Sequence, residues 1–311
     1  MQQRPTVSFI GLGQMGQPMA RHLLQGLQGK RDLFVFDAQA ERMTALTALG
    51  AHGGTCLDDV VPRGGVVFAM LPDDRSLLQV ALTDGGILTH LGTGGTLIVC
   101  SSVSPDVSAQ LARLSHQQHC AYLAAPALGG PEAAARGDLS FVLAGPRLAK
   151  RQVMPLFACM GQRLYDLGER VEAANVMGLA WHLLRASLIE ALGEAAALID
   201  AYHLNRSRLA DLLQAPSLWQ QTADAVRRIG ARDFSEPQLS VQAGLRMLDL
   251  ALHLGQQRDL DLPYADVAYG HLLAALDAGR EQEDWSVLSD FARQGATDWF
   301  TREEDADAPL A

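Results

Sequence analysis

The feature that most constrains this chain lies near its start, where residues 6–19 read T-V-S-F-I-G-L-G-Q-M-G-Q-P-M. Val7, Phe9 and Ile10 form a short apolar run of β-forming residues that breaks at a glycine-spaced turn. An apolar spacing of about 3.6 residues resumes at Met19, Leu23 and Leu24. The pattern predicts a strand, a tight turn and a helix. Gly11 permits the turn, Gly13 lets a pyrophosphate approach the backbone, and Gly16 lets the helix pack close to the strand. Phosphates can then sit on the helix N-terminus, with Leu12, Gln14 and Met15 completing the turn. Residues 33–36, L-F-V-F, read as a second buried strand, and Asp37 follows Gly16 by roughly 20 residues, where a carboxylate meets an adenosine ribose. The competing reading is a glycine turn of purely structural use.

Asp37 favours NAD, because its carboxylate repels the 2′-phosphate of NADP and Ala38 beside it offers no arginine. Arg42, one helical turn on, keeps NADP open.

The rest of the first half repeats the alternation. Residues 38–49 read as an amphipathic helix ended by Gly50, and residues 66–71 (V-V-F-A-M-L) as a strand followed by Pro72 and a helix carrying Leu77, Leu78 and Val80. Residues 96–99 form another strand, with Ser101, Ser102 and Ser104 at its end and Pro105 opening the next helix. Residues 122–127, 139–144 and 163–167 read as further strands, with a helix over 147–160 between the last two. Alternating strands and helices imply a parallel, doubly wound sheet, whose ligands gather at the strand C-termini. Leu71, Pro72 and Ser102 are therefore candidates to line a cofactor cleft. Helix capping is the alternative use of the serines.

Beyond Glu169 only helical periodicity remains, beginning with one long helix over residues 169–202 and broken near Asn205, Pro216, residues 230–237, residues 260–263 and Gly279. The expected organisation is an α/β Rossmann-type domain over residues 1–168 and an all-helical domain over residues 169–311. The last ten residues are acidic and expected to fray.

Composition excludes several classes. The net charge of −10 and pI near 5.3 disfavour nucleic acid and anionic membrane surfaces as partners, since both require a basic face. Glu172, His182, Arg185, Glu190, Glu194 and Asp200 interrupt the most apolar stretch, which argues against a membrane span. Residues 1–5 are polar and show no export segment, so a cytoplasmic location is expected. Cys56, Cys100, Cys120 and Cys159 lack paired or zinc-like spacing and read as fillers in a reducing compartment. No metal set is expected. His116 and His119 share a predicted helix face but lack a third ligand.

Together these segments resemble the β-hydroxyacid dehydrogenase superfamily, which includes 3-hydroxyisobutyrate dehydrogenase, tartronate semialdehyde reductase and the related imine reductases. The strongest piece is F-I-G-L-G-Q-M-G-Q-P-M-A-R-H-L-L over residues 9–24. Weaker pieces are M-L-P at 70–72, S-S-V-S-P at 101–105, A-P-A-L-G-G-P-E-A-A-A-R-G-D-L at 125–139, E-A-A-A-L at 194–198 and D-W-S-V-L at 284–288. The resemblance implies a Rossmann domain, a long interdomain helix, a nicotinamide facing that helix in a site between the domains, and a homodimer or higher oligomer.

The chain also departs from the family. The substrate loop usually carries an aspartate at its start and a serine before paired glycines; here Ala124 and Leu128 stand there, before Gly129 and Gly130. Those two glycines can hold a carboxylate with their amides or merely turn the chain. The family's catalytic lysine, counted back from Glu194, falls on Gly178, or on Met177 with one residue absorbed in the preceding loop. The only lysines are Lys30 and Lys150. Trp181 and His182 occupy the places of the asparagines that usually follow. Residues 178 and 182 share a helix face, so His182 inherits the candidacy for proton donor, with Asn175 as a hydrogen-bonding neighbour. Histidine suits general acid work near neutral pH. The alternative is a histidine packed against Trp181 and Arg185. Where the family often reads K-D-L, Arg246 keeps a positive charge near the cofactor and Met247 loses the acid.

Carbonyl reduction builds charge on an alkoxide and suffers without a proton donor, whereas hydride addition to an iminium neutralises charge and needs none in that step. Gly178, Leu128 and Trp181 replace polar groups with space and apolar surface, predicting a larger or less charged substrate than a small hydroxy acid. The sequence therefore points to an NAD(P)-dependent dehydrogenase or reductase of C–OH and C=O groups. An imine reductase and a non-catalytic nucleotide binder are the alternatives.

Overall fold

The computed structural model describes residues 6–27 and 30–292. The expectation for the acidic C-terminal residues lies outside them. The chain divides into two compact units, residues 1–184 and 185–311.

The first unit opens with β1 (Val7–Ile10), α1 (Gly16–Leu27), β2 (Leu33–Phe36), α2 (Thr44–Thr47), β3 (His52–Gly53), α3 (Leu57–Val60) and β4 (Val66–Ala69). It continues through α4 (Asp74–Leu82), α5 (Ile87–Leu91), β5 (Thr96–Val99), α6 (Pro105–Gln117) and β6 (Ala121–Ala124). Six strands form one parallel sheet in the order β3-β2-β1-β4-β5-β6. Strands β1, β4 and β5 are buried at every residue, as parallel strands with helices on both faces require, Ser8 and Thr96 being the polar residues among them. The direction of winding reverses between β1 and β4, which opens a crevice at their C-terminal ends.

Residues 38–49 do not form one helix. A 3₁₀ turn at Ala40–Met43 leads into the short α2, and Leu46 is the one buried residue of the two. With so little apolar surface to bury, a longer helix has no packing to hold it. The predicted strand over 122–127 also divides. β6 stops at Ala124, and past Pro126, which has no N–H for a ladder, the chain enters β7 (Ala127–Leu128). β7 begins a second, three-stranded sheet: it pairs antiparallel with β8 (Leu139–Leu143), and β8 pairs parallel with β9 (Gly161–Asp166). α7 (Pro131–Arg136) and α8 (Arg147–Met160) connect these strands. His119 lies past the end of α6 with φ of 54° and shares no helix face with His116.

α9 (Val171–Ala201) is the long helix, and its first turns belong to the first unit: Val171, Ala174, Asn175 and Gly178 are buried. The second unit adds α10 (Ser207–Leu213), α11 (Pro216–Ala231), α12 (Val241–Gln256), α13 (Pro263–Asp277) and α14 (Leu288–Ala292). Phe234, Val241, Leu245, Leu272, Ala275 and Val287 form its core. Among the described residues no helix is long and apolar enough to cross a membrane.

Candidate functional site

A cleft of about 660 Å³ opens where β1, β2 and β4 end, lined by Gly11, Gly13, Asp37, Arg42, Leu71 and Pro72 among others. The three motif glycines divide their duties. Gly11 has φ of +90°, and a Cβ there would stand 2.2 Å from the Met70 carbonyl oxygen. A Cβ on Gly16 would stand 1.9 Å from the Gly11 oxygen, so this glycine seats α1 against the turn. Gly13 answers to nothing among the described residues, since the nearest atom to its imagined Cβ is Nη1 of Arg42 at 4.0 Å. Its bareness is toward the cleft.

Asp37 is buried. One carboxylate oxygen accepts the Leu12 N–H at 2.7 Å, the other the Gln39 N–H at 2.8 Å, and Arg42 lies 3.5 Å away. The Leu12 side chain is in the core, so this residue serves through its backbone. The N–H groups of Gly13, Gln14, Met15 and Gly16 find no acceptor among the described residues. Unpaired amides at the N-terminus of a twelve-residue helix, beside a glycine with room in front of it, fit a diphosphate. An anionic carboxylate at the next strand end, each oxygen with a lone pair to spare, fits a ribose diol.

A second cluster forms at the end of β5. Ser101 is buried, and its Oγ accepts the Leu71 N–H at 2.7 Å, tying this strand end to the cleft wall. Ser104 caps α6 through Val107, and its N–H donates to Asp74. Unlike Leu71 and Pro72, Ser102 is not among the residues that line the cleft; it is exposed and meets Nε2 of His182 at 3.2 Å. Asn175 donates from Nδ2 to the Val103 carbonyl at 3.3 Å, while its buried Oδ1 has no partner. Gly178 lies against Pro126, whose Cβ would be 3.1 Å from an added Cβ. Asn175, Gly178 and His182 thus occupy one face of α9 and meet the loops after β5 and β6. Trp181 is 41% exposed.

Neither lysine serves this cluster. Lys150 is buried in an ion pair with Asp166 and donates to the Gly168 carbonyl at 2.7 Å, and Lys30 is exposed past α1. Cys100, next to the serines, is also out of play, because burial pushes its thiol far above the ordinary range.

Leu128 sits in β7, paired with Ser140. Gly129 has φ of +144°, and a Cβ would meet Leu139 at 2.8 Å, so its own fold demands glycine; Gly130 is open and precedes α7. Arg246 and Met247 stand exposed on α12 of the second unit. The sequence reading missed Gln39, Met70, Ser76, Gln79 and Val80 as cleft residues. Gln39 follows β2, and the sheet order brings Met70 and one side of α4 beside the glycine turn. Among the described residues no three His, Cys, Asp or Glu side chains are grouped to hold a metal.

The strand order, the glycine turn and the paired carboxylate define a dinucleotide-binding oxidoreductase fold. A family model described as the NAD binding domain of 6-phosphogluconate dehydrogenase matches residues 6–168. The chain is 30% identical to 3-hydroxyisobutyrate dehydrogenase of Pseudomonas aeruginosa over 211 residues, 68% of this chain and 70% of that one. It is 29% identical to the NAD-dependent L-serine dehydrogenase of the same organism, over 91% of this chain and 96% of that one. In structure it resembles an imine reductase from Myxococcus stipitatus in complex with NADP⁺, with TM-score 0.81, 20% identity, and coverage of 93% of this chain and 100% of that one, a likeness of fold. The chain belongs to the β-hydroxyacid dehydrogenase superfamily and is an NAD(P)-dependent oxidoreductase.

Proposed function

We propose that this enzyme interconverts a C–OH and a C=O group on a small molecule less polar than the usual short hydroxy acids, with NAD favoured over NADP. A bound nicotinamide supplies or accepts the hydride. The chain's own part is to seat the diphosphate on the turn at Gly11, Gly13 and Gly16, hold the ribose at Asp37, and manage a proton at the end of β5. The observation that carries the reading is the 3.2 Å contact between His182 and Ser102, an acid–base group in the neighbourhood of the strand ends that line the cleft. Leu128, Gly129, Gly130, Asn175, Gly178 and Trp181 are the proposed substrate-side residues, and Arg246 a cofactor-side one. Leu128 and Trp181 supply apolar surface where relatives bring polar groups.

A second reading, imine reduction, draws on the absence of a lysine ammonium from this cluster among the described residues. An iminium substrate needs no donor during hydride addition. We also read the enzyme as a cytoplasmic homodimer or larger homo-oligomer with one small-molecule substrate. The support is α9, where Val176, Met177, Leu183, Leu184 and Ile189 are all about half exposed or more, an apolar surface that a second copy would cover.

Oxidation of NADH in the presence of aldehydes, keto acids and cyclic imines tests these readings together. Aldehyde or keto-acid turnover abolished by His182→Ala supports the carbonyl reading. Cyclic-imine turnover that survives the substitution replaces it with the second, and tight NADH binding without turnover of any compound leaves a nucleotide binder. Light scattering gives the oligomer size.

A further inference from the structure

We propose that Ser102 delivers the proton to the substrate oxygen and that His182 recharges it, so that a two-member relay stands where relatives use one ammonium. The inference rests on the carbonyl reading above. Three serines follow β5, and two are committed: Ser101 holds the Leu71 N–H and Ser104 caps α6. Ser102 alone presents its hydroxyl outward, and its partner is Nε2 of His182. Of the pair, Ser102 is the more exposed residue and His182 the half-buried one. Ser102 is therefore the member of the pair more open to an incoming oxygen.

The pair is held from both sides. The Ser101–Leu71 bond fixes the residue before Ser102 to the wall of the cleft, and Asn175 grips the carbonyl of the residue after it. Asn175 and His182 are seven residues apart on α9, two turns along one face, so a single rigid helix positions the loop and the imidazole together. Such double anchoring suits a proton transfer, which requires heavy atoms near 3 Å in stable alignment.

The step balances as follows. A bound reduced pyridine nucleotide would supply hydride to the carbonyl carbon, and the Ser102 hydroxyl gives its proton to the carbonyl oxygen. Oγ takes the Nε2 proton of the His182 imidazolium, leaving neutral imidazole that solvent reprotonates. A serine hydroxyl alone is too weak an acid to complete the step, which is why the histidine must stand behind it. In the oxidative direction the same protons run outward.

Ser102→Ala is expected to lower kcat for the best carbonyl substrate by about 10²-fold or more, the usual size of a lost general acid. Affinity for NADH, read by fluorescence titration, is expected to stay unchanged. Ser102→Thr, which keeps a hydroxyl, should recover most of the rate, and Ser102→Ala combined with His182→Ala should be no slower than the worse single variant. In nucleotide-free protein, the ¹⁵N resonance of His182 Nε2 should move in Ser102→Ala, reading the hydrogen bond without turnover. A rate held within about threefold in Ser102→Ala while His182→Ala loses it makes His182 the direct donor and overturns the relay. So do additive losses in the double variant, NADH affinity falling in parallel, or an unmoved nitrogen resonance. Wild-type protein that binds NADH yet reduces no carbonyl refutes the carbonyl reading instead, and the nitrogen resonance still decides whether the pair exists.

Discussion

The Leu12 N–H donates to the Asp37 carboxylate at 2.7 Å across 25 residues of chain. This bond joins the glycine turn after β1 to the end of β2, so one side chain both shapes the turn and forms a wall of the cleft. Asp37→Ala removes an ionised acceptor from two backbone donors, each bond worth about 1.5–3 kcal/mol. NADH affinity should fall by roughly 10- to 100-fold or more, measured by fluorescence titration. Unchanged affinity would mean that the carboxylate only braces the turn.

Gly13 and Gly16 should respond oppositely to the same substitution. Alanine at Gly16 drives a methyl into the Gly11 carbonyl, and overpacking of this kind costs about 1–3 kcal/mol or more. Alanine at Gly13 meets open space, so stability should hold within about 0.5 kcal/mol while nucleotide affinity collapses. Urea melts paired with NADH titrations separate the two. Equal destabilisation would refute the assignment of Gly13 to a ligand.

Arg42 lies 3.5 Å from Asp37 and lines the cleft, with its side chain 44% exposed. If the guanidinium reaches a 2′-phosphate, Arg42→Ala should weaken NADPH by about tenfold or more, the worth of a charged hydrogen bond, and leave NADH within about threefold. Parallel titrations with both nucleotides decide this. Equal losses would assign Arg42 to bracing Asp37 alone.

Local patterns made most of this architecture readable in advance. The alternation of buried strands with helices fixes a parallel sheet, and a glycine spacing after β1 marks the switch point because few other uses require it. Helix breaks at Pro216 and Pro263 fall where proline can only begin a helix. What escaped depended on pairing between distant segments. Nothing near Pro126 says that β7 leaves the first sheet, because that depends on its antiparallel match to β8. Ser101 and Ser102 are neighbours of like chemistry, and only the approach of Leu71 and His182, 30 and 80 residues away, gives them different work. His182 is legible only through a gap, the lysine that the long helix does not carry.

The cysteines should order by exposure. Cys56 is exposed and Cys100 buried, and desolvation holds the Cys100 thiol far above its usual range. Iodoacetamide at about pH 8 should therefore label Cys56 in the folded protein and Cys100 only with urea present, read by peptide mass spectrometry. Early labelling of Cys100 would place it outside the core.

Acid should loosen the second unit through Asp284. Burial opposes ionisation of this carboxyl, but the Ser286 hydroxyl and N–H, the Gln238 N–H and the Arg228 charge outweigh it and hold the group below the ordinary carboxylate range. The bonds are 2.5, 3.0 and 2.9 Å long and link the segment before α12 to the turn before α14. A depressed folded-state pKa means that the ionised form favours the fold. Its contribution is complete above the unfolded value, near 3.9, and is lost as pH falls from there through the folded value. Asp284→Asn should cost about 1–3 kcal/mol at neutral pH, because the amide accepts more weakly and brings donors that lack acceptors. Urea midpoints for wild type and variant, measured from about pH 7 down to about pH 3, should converge as the wild-type carboxyl takes up its proton. A constant gap between the two curves would show that the hydrogen bonds hold this corner without any help from charge.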